Sequence, residues 1–394
     1  MERWISPNTI TGDAATGERY FRRDYINEEF WREIKKGNHI LFVAPRRVGK
    51  TSIMKDLADN PEADYYCIYQ NIQGVKTKNE FYERLFHLFL DCIGKIKKLS
   101  SFLKRLSEKY SIDQVSVKGS ITISRKNIDY EKELKSIIPQ LKDQSITTVI
   151  FLDEFAEVIN TLNKRKLKED AIDILNTLRE IRSDNNFRHF KLVFAGSIGL
   201  QFVIKNMDRP TLINDLHPIE TKALSADEAT LLIQQLIEDA TIQFDEATLQ
   251  YLQIKVKHLL PYYLQLMVEE TDLVARKMNE PRISIPMVDK AFDQVLEKNK
   301  NFDDWIERLK EYHPEQFAFI NEILTRCAHK GKIVIQEIYN IATNDKHKRN
   351  DDYMSFIVQL QNDGYLVELS KHTYKFLSPF LEQFWLNQYP VYNG

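Results

Sequence analysis

The sequence feature that most restricts the fold is a loop between an apolar run and a predicted helix. Residues 39–44 are followed directly by the string Pro45-Arg46-Arg47-Val48-Gly49-Lys50-Thr51-Ser52. This string has the spacing of a phosphate-binding P-loop, except that Ala44 stands where the first glycine is usual. Such a loop turns backbone N–H groups toward phosphate oxygens, and the dipole of the following helix favours the anion. We therefore expect an α/β fold with a buried parallel sheet.

The residue types in the loop suit separate tasks. Gly49 permits close approach of the backbone, Lys50 reaches the β- and γ-phosphates, and the Thr51 hydroxyl can bind Mg²⁺. Alanine at position 44 adds only one methyl group, although it restricts the backbone angles there. The alternative is an incidental exposed turn. The candidate nucleotide-binding residues of the loop are Pro45, Arg46, Arg47, Val48, Gly49, Lys50, Thr51 and Ser52.

A second motif follows another apolar run, Val149-Ile150-Phe151-Leu152, which ends at Asp153-Glu154. A carboxylate at the carboxyl end of a buried strand can hold Mg²⁺ through water, beside Thr51. The adjacent Glu154 can then polarise a water molecule for attack on the γ-phosphate. The alternative is an acidic pair that ends a strand and caps a helix.

The surrounding pattern alternates strands with helices. Further strands are predicted at residues 65–69 and 191–195, with the clearest helices at 81–93 and 171–181. This alternation predicts a doubly wound α/β domain over about 17–220. Residues 114–124 alternate apolar and polar side chains around a Lys-Gly pair, which predicts a β-hairpin inserted into that domain.

The second half of the chain has a different pattern. Ser225 and Glu228 have the spacing of a helix capping box, and Pro261 is expected to begin a further helix. Near the C-terminus, three predicted helices precede two short strands, the layout of a winged helix. The predicted organisation is an ATPase core over residues 1–222, a helical lid over 223–300 and a winged helix over 301–394.

These motifs together resemble the archaeal-type, or prokaryotic, ATPases that are related to AAA+ proteins and allied to the STAND nucleotide switches. The resemblance covers nearly the whole chain, and the string Pro45–Ser52 is its most diagnostic part. The other matching segments are Gly17–Arg23, Leu152–Glu154, Leu178–Arg182, Gly196–Gly199, Asn214–Leu216, Leu224-Ser225 and Tyr374–Pro379.

The resemblance implies ATP as the nucleotide and an α/β P-loop NTPase core followed by a lid and a winged helix. It places Tyr20, Phe21 and Arg23 near the adenine and Ser197 at the sensor position, beside the γ-phosphate or its attacking water. Arg209 is the candidate arginine finger, and Arg179 and Arg182 are its alternatives. The usual sensor residue is asparagine, and the lid segment Pro261-Tyr262-Tyr263 lacks an arginine. Both departures indicate a slow switch.

Charge does not by itself indicate a nucleic-acid partner. The 55 Lys and Arg residues against 57 Asp and Glu give a net charge of −2. The predicted recognition helix begins with Asp351-Asp352 and carries no basic residue, and the basic cluster at 346–349 precedes it. The leading hypothesis is a Mg²⁺- and ATP-dependent switch that controls a protein partner. The alternatives are a DNA-binding ATPase and a scaffold with an inactive nucleotide site; a homo-oligomer fits any of them.

The sequence also limits the location of the protein. The first 17 residues are polar, and the apolar runs are far shorter than the roughly 20 residues that cross a bilayer. Three widely spaced cysteines exclude a disulfide framework and fit no zinc spacing. We therefore expect a cytoplasmic protein that binds no membrane.

Overall fold

The computed structural model describes residues 3–95, 112–115, 121–123, 128–139, 146–196, 199–298, 302–344 and 352–392. The chain divides into two compact units. We call Arg23–Val43 with Ile53–Glu220 the sheet unit. The helical unit combines Met1–Arg22, Ala44–Ser52 and Thr221–Gly394. The P-loop string therefore belongs to the helical unit, although the strand that precedes it lies in the sheet unit.

The sheet unit contains five parallel strands in the order β2-β5-β6-β1-β7. The apolar runs predicted to be strands form four of them, and β5 is buried almost throughout because both faces are covered. The fifth, β7, was not predicted: it is a short edge strand with Pro218 and Glu220, so it lacks an apolar run. Their bounds are β1 Ile40–Val43, β2 Tyr65–Asn71, β5 Thr147–Asp153, β6 Phe190–Ala195 and β7 His217–Glu220.

Seven helices among the described residues belong wholly or mainly to this unit: α1 Asp24–Lys35, α2 Lys50–Asp59, α3 Lys78–Lys95, α4 Tyr130–Ile137, α5 Phe155–Lys164, α6 Lys168–Ser183 and α7 Leu200–Lys205. The predicted hairpin is present as the antiparallel pair β3 Ile112–Val115 and β4 Ile121–Ile123, and its Lys-Gly turn lies outside the described residues. Because the core strands are parallel, β1, β5 and β6 all end at one edge of the sheet.

Four helices form the first part of the helical unit: α8 Ala226–Ile237, α9 Glu246–Val256, α10 Pro261–Met278 and α11 Ile285–Glu297. The predicted capping box is present, with Glu228 N–H donating to Ser225 Oγ at 3.2 Å and Ser225 N–H to a Glu228 carboxylate oxygen at 2.8 Å. Pro261 begins α10 as expected, because its fixed φ suits a first helical position.

The N-terminal residues form an arm that crosses the helices of this unit. The Trp4 indole N–H donates to Asp272 at 2.8 Å, and Ile10 N–H donates to the Gln265 side chain at 2.8 Å. Asn8 N–H donates to the Leu236 carbonyl at 2.8 Å. The arm is thereby fixed to α10 and to the end of α8.

The last part of the unit, which we call the C-terminal subdomain, runs from α12 to α16. The three helices and two-stranded ribbon predicted near the C-terminus are present, and an additional short strand, β8, completes a sheet in the order β8-β10-β9. Phe380, Phe384 and Trp385 are at most 1% exposed, so this aromatic cluster is core. The bounds are α12 Asp303–Tyr312, α13 Phe317–Lys330, β8 Ile333–Val334, α14 Ile335–Thr343, α15 Tyr353–Asn362, β9 Leu366–Ser370, β10 Thr373–Phe376 and α16 Pro379–Gln388.

None of the helices in the described part of the chain is both long enough and apolar enough to span a bilayer.

Candidate nucleotide-binding site

The P-loop string forms a tight turn between β1 and α2. Arg47 and Gly49 have positive φ values of 68° and 95°, and Val48 is fully buried between them. Gly49 suits the left-handed region at no steric penalty, whereas Arg47 adopts it with a side-chain cost. The Lys50 ammonium donates to the Ala44 carbonyl at 2.6 Å and contacts the Pro45 carbonyl at 3.3 Å. The loop is therefore folded around its own lysine.

Both arginines of the loop lie over aromatic rings of the helical unit. The Arg46 guanidinium is 4.9 Å from the Trp305 ring, and the Arg47 guanidinium is 4.1 Å from the Tyr262 ring. Stacking of this kind holds a guanidinium in place without using all of its N–H donors. Arg46 Nη1 and Arg47 Nε are buried without a hydrogen-bond acceptor among the described residues. The loop therefore carries cationic donors with unused bonding capacity.

Burial also changes the acidity of the groups beside the loop. It lowers the pKa of Arg46 to about 10, and the nearby charge of Arg308 acts in the same direction. Asp363, at the end of α15, is only 7% exposed, and burial raises its pKa to about 7 against the opposing charges of Arg308, Lys50 and Arg46. The sequence reasoning missed Trp305 and Asp363, because no local pattern connects them with a loop that lies more than 250 residues earlier.

The acidic motif lies at the carboxyl end of β5. Asp153 is the last residue of the strand and is 2% exposed. Its carboxylate accepts from the Tyr69 hydroxyl at 2.9 Å and from the Glu154 backbone N–H at 3.0 Å. Tyr69 lies on the neighbouring strand β2 and was not among the predicted site residues. Its hydrogen bond fixes the orientation of the aspartate.

Glu154 adopts a left-handed conformation, with φ 60° and ψ 27°, immediately before α5. A non-glycine residue in this region carries a backbone cost, and such residues concentrate at functional sites. The alternative from the sequence was a residue that merely caps the helix, but the Glu154 side chain makes no capping hydrogen bond. This conformation is consistent with a role for Glu154 in chemistry at the end of the strand.

Each unit carries a donor group of a type that Mg²⁺ binds. In the helical unit Thr51 offers a hydroxyl in the first turn of α2, and in the sheet unit Asp153 offers a fixed carboxylate. Mg²⁺ bound with a nucleotide usually takes one or two such protein ligands and completes its shell with phosphate oxygens and water. Among the residues described, no group of three or more His, Cys, Asp or Glu side chains could hold a metal ion without the nucleotide.

The remaining predicted site residues are dispersed over several segments. Tyr20 follows a short 3₁₀ turn, Gly17–Arg19, and its N–H donates to the Gly17 carbonyl at 3.0 Å. Phe21 is partly buried, and Arg23 is 3% exposed directly before α1. Ser197 lies outside the described residues, so the sensor position stays a prediction.

The three candidate finger arginines differ in their surroundings. The Arg182 side chain is 1% exposed and makes a bidentate pair with Asp215, at 2.6 and 2.9 Å, and a bond to the Leu212 carbonyl at 2.8 Å. Arg179 makes one long contact, 3.4 Å, with the Asn214 side chain. Arg209 is exposed. Arg182 is therefore a structural residue within the sheet unit, whereas Arg179 and Arg209 are more accessible.

No family model matches the chain, and no curated protein matches it in sequence. Solved structures match it in fold. The Walker-type ATPase paby2304 of Pyrococcus abyssi superposes with a TM-score of 0.63 at 16% identity, over 95% of this chain and 98% of that one. The ORC2 protein of Aeropyrum pernix, solved in ADPNP–ADP complexes, gives a TM-score of 0.52 at 13% identity, over 98% of this chain and 95% of that one. The chain therefore has the P-loop ATPase fold of these archaeal proteins, as the resemblance drawn from its motifs implied.

Proposed function

We propose that the protein is a Mg²⁺- and ATP-binding P-loop ATPase that acts as a slow nucleotide-dependent switch. The observation that carries the proposal is the presence of two motifs in one chain that has the P-loop ATPase fold. A P-loop follows β1, and an oriented aspartate with a left-handed glutamate ends β5. In solved structures, two proteins with this fold are a Walker-type ATPase and a protein in complexes with ADPNP and ADP.

The proposal assigns each residue a role. The loop residues from Pro45 to Ser52 bind the phosphates, with Lys50 at the β- and γ-phosphates. Thr51 and Asp153 hold Mg²⁺, which supplies charge neutralisation at the phosphates when bound. Glu154 polarises the attacking water, and Ser197 and Arg209 contribute at the γ-phosphate. Tyr20, Phe21 and Arg23 bind the adenine.

Control of a partner is proposed to act through the helical lid over 223–300 and the winged helix over 301–394. Its support is the stacking of the loop arginines on residues of the helical unit, Arg46 on Trp305 and Arg47 on Tyr262. Phosphate groups that attract these guanidiniums would change the stacking, and a change in the loop would thereby reach α10 and α12. A slow rate is supported by the lid segment Pro261-Tyr262-Tyr263, which offers no arginine to the γ-phosphate.

The first test is ATP turnover by the purified protein beside Glu154→Gln, with and without double-stranded DNA. We expect slow turnover that DNA does not change, reduced at least about 100-fold in Glu154→Gln because general-base assistance is lost. The matched control is Glu157→Gln, one turn further along α5, which contacts Gln73. Turnover that rises with DNA would favour the DNA-binding alternative, and size-exclusion mass measured in parallel gives the oligomeric state.

A second test separates binding from hydrolysis. Lys50→Ala is expected to weaken ATP binding by about 10- to 100-fold, because a charged hydrogen-bond donor to phosphate is lost. Lys55→Ala, on the same helix, should bind as the wild type does. Retained affinity in Lys50→Ala, with the fold intact by circular dichroism, would contradict the proposed site.

A further inference from the structure

The turn after α15 packs directly against the P-loop, within the helical unit. A Cβ atom placed on Gly364 would lie 3.3 Å from Pro45 Cβ and 3.4 Å from the Arg46 backbone nitrogen. Gly364 also has a φ of +84°, which L-residues rarely adopt. Glycine is thus required here both by the close approach and by the backbone. The turn and the loop are in van der Waals contact.

Trp305 joins the turn to the loop. Its ring lies under the Arg46 guanidinium, 4.9 Å from centroid to carbon, and also contacts the Tyr365 ring. The Tyr365 hydroxyl donates to the Trp305 carbonyl at 2.7 Å, and the two rings meet edge to face at 4.8 Å. A displacement of the turn would therefore alter the surroundings of Arg46.

The turn also carries a buried carboxyl group. Asp363 accepts one long hydrogen bond, 3.4 Å, from the Gln359 amide, and no shorter one is found among the described residues. The charged groups that act on it are Arg308 from α12, and Lys50 and Arg46 from the loop; Tyr365 is its titratable neighbour in the turn. A carboxylate in this position is attracted by the same cations that would bind a phosphate.

We propose that Asp363 competes with the phosphates of a nucleotide for Lys50 and Arg46, so that the C-terminal subdomain lowers nucleotide affinity while its turn is packed on the loop. This inference rests on the proposed function and concerns the regulation of the same site. The coupling is reciprocal: a bound nucleotide repels the Asp363 carboxylate and weakens the packing of the turn on the loop. The subdomain would in this way respond to the nucleotide state.

The charge of Asp363 changes in an accessible pH range. Burial raises its pKa to about 7, and the three cations oppose that shift. Above this pH the carboxylate is charged and competes with phosphate; below it the neutral acid does not. Wild-type affinity for a nucleotide should therefore increase as the pH falls from 8 to 6, beyond any change due to the nucleotide itself.

The test is calorimetric titration of Mg·ADP into the full-length wild type, Asp363→Asn and Glu368→Gln, at pH 6 and at pH 8. Asp363→Asn should bind about tenfold more tightly than the wild type at pH 8 and with nearly equal affinity at pH 6. Glu368 is an exposed carboxylate on β9, so Glu368→Gln should match the wild type at both values. The protonation of ADP itself changes with pH in the same way for all three proteins, so only the ratios of their affinities are compared.

Gly364→Ala provides a second, independent variant. Its methyl group would lie too close to Pro45 and to the Arg46 nitrogen, so the turn and the loop must separate by a few tenths of an ångström. It should therefore tighten binding at pH 8 and change it little at pH 6, where Asp363 is neutral. Equal affinities of Asp363→Asn and the wild type at pH 8, or weaker binding by Asp363→Asn, would overturn the competition. If Asp363→Asn does not fold by circular dichroism, unchanged affinity in Gly364→Ala at pH 8 overturns it. Absence of Mg·ADP binding in every protein, wild type included, would instead refute the proposed nucleotide site.

Discussion

Glu33 in the sheet unit and Asp363 in the helical unit are both buried carboxyl groups, 2% and 7% exposed, yet their acidities shift in opposite directions. Glu33 accepts hydrogen bonds from Lys36 at 2.8 Å, Arg32 at 3.0 Å and Asn38 at 2.8 Å, and these donors, Lys36 foremost, lower its pKa to about 2. Asp363 has cations nearby but, among the residues that the structure describes, accepts one long hydrogen bond, and burial raises its pKa to about 7.

The difference shows that direct donors, rather than burial or nearby charge alone, decide whether a buried carboxylate stabilises the fold. Glu33 has three donors at short distance, so its ionised form is the favoured one. Asp363 lacks them, so its ionised form is held at a cost to the folded state. A carboxylate of the first kind serves structure, whereas one of the second kind is suited to respond to a change in its surroundings.

The largest expected effect comes from Arg182, whose side chain is 1% exposed, whereas the side chain of its partner Asp215 is 33% exposed. Arg182→Gln should lower the free energy of unfolding by about 3 kcal/mol, because the bonds of the buried guanidinium, two to Asp215 and one to the Leu212 carbonyl, are lost. Guanidinium chloride unfolding at pH 7 measures this. Arg179→Gln, on the same helix, should change stability by less than about 0.5 kcal/mol. Unchanged stability with lost ATP turnover in Arg182→Gln would make that arginine a site residue instead.

A smaller effect is expected at Glu33. Glu33→Gln should lower the free energy of unfolding at pH 7 by about 2 kcal/mol, because hydrogen bonds to a charged acceptor are lost. The folded pKa is lowered from the ordinary 4.5 to about 2, so this stabilisation is present above pH 4.5 and disappears as the pH falls toward 2. Urea unfolding of both proteins at pH 7 and pH 3 measures the change. Glu29→Gln, whose contact with Arg32 is 3.6 Å, is the control, and a pH-independent difference would count against this account.

An effect of opposite sign is expected at Asp363. Its folded pKa lies above the ordinary 3.8, so its ionisation destabilises the folded protein increasingly between pH 4 and pH 7. Asp363→Asn should therefore raise the free energy of unfolding at pH 8 and change it little at pH 4. Thermal unfolding across this range, with Glu368→Gln as the control, measures the gain. A lower free energy of unfolding for Asp363→Asn than for the wild type at pH 8 would contradict the proposed difference between Asp363 and Glu33.

Much of this arrangement could be predicted from local sequence. Several elements have a pattern contained within a few residues: the strands before Ala44 and Asp153, the capping box at Ser225 and the three helices near the C-terminus. Buried parallel strands are long apolar runs, and helix caps have fixed spacings, so such elements are visible without knowledge of the rest of the chain.

What could not be predicted depends on packing between distant residues. The stacking of Arg46 on Trp305 joins positions that are 259 residues apart. Asp363 is brought to the loop because the adjacent Gly364 packs against Pro45 and Arg46. Tyr69 orients Asp153 because β2 pairs with β5. Strand β7 has no apolar run that would predict it, because it contains a proline and a glutamate. No periodicity marks these residues, because each is placed by tertiary structure alone.

The division of the chain has a consequence for its synthesis. The helical unit is assembled from three separate stretches, and Ala44–Ser52 is packed with segments that begin at Thr221. A ribosome completes the sheet unit before it delivers the stretch that begins at Thr221, and domains tend to fold in the order of their synthesis. The nucleotide loop would then lack its contacts with Tyr262, Trp305 and Gly364 until translation is nearly complete. A fragment ending at Glu220 would contain both sequence motifs and yet lack the side chains against which its loop is shaped.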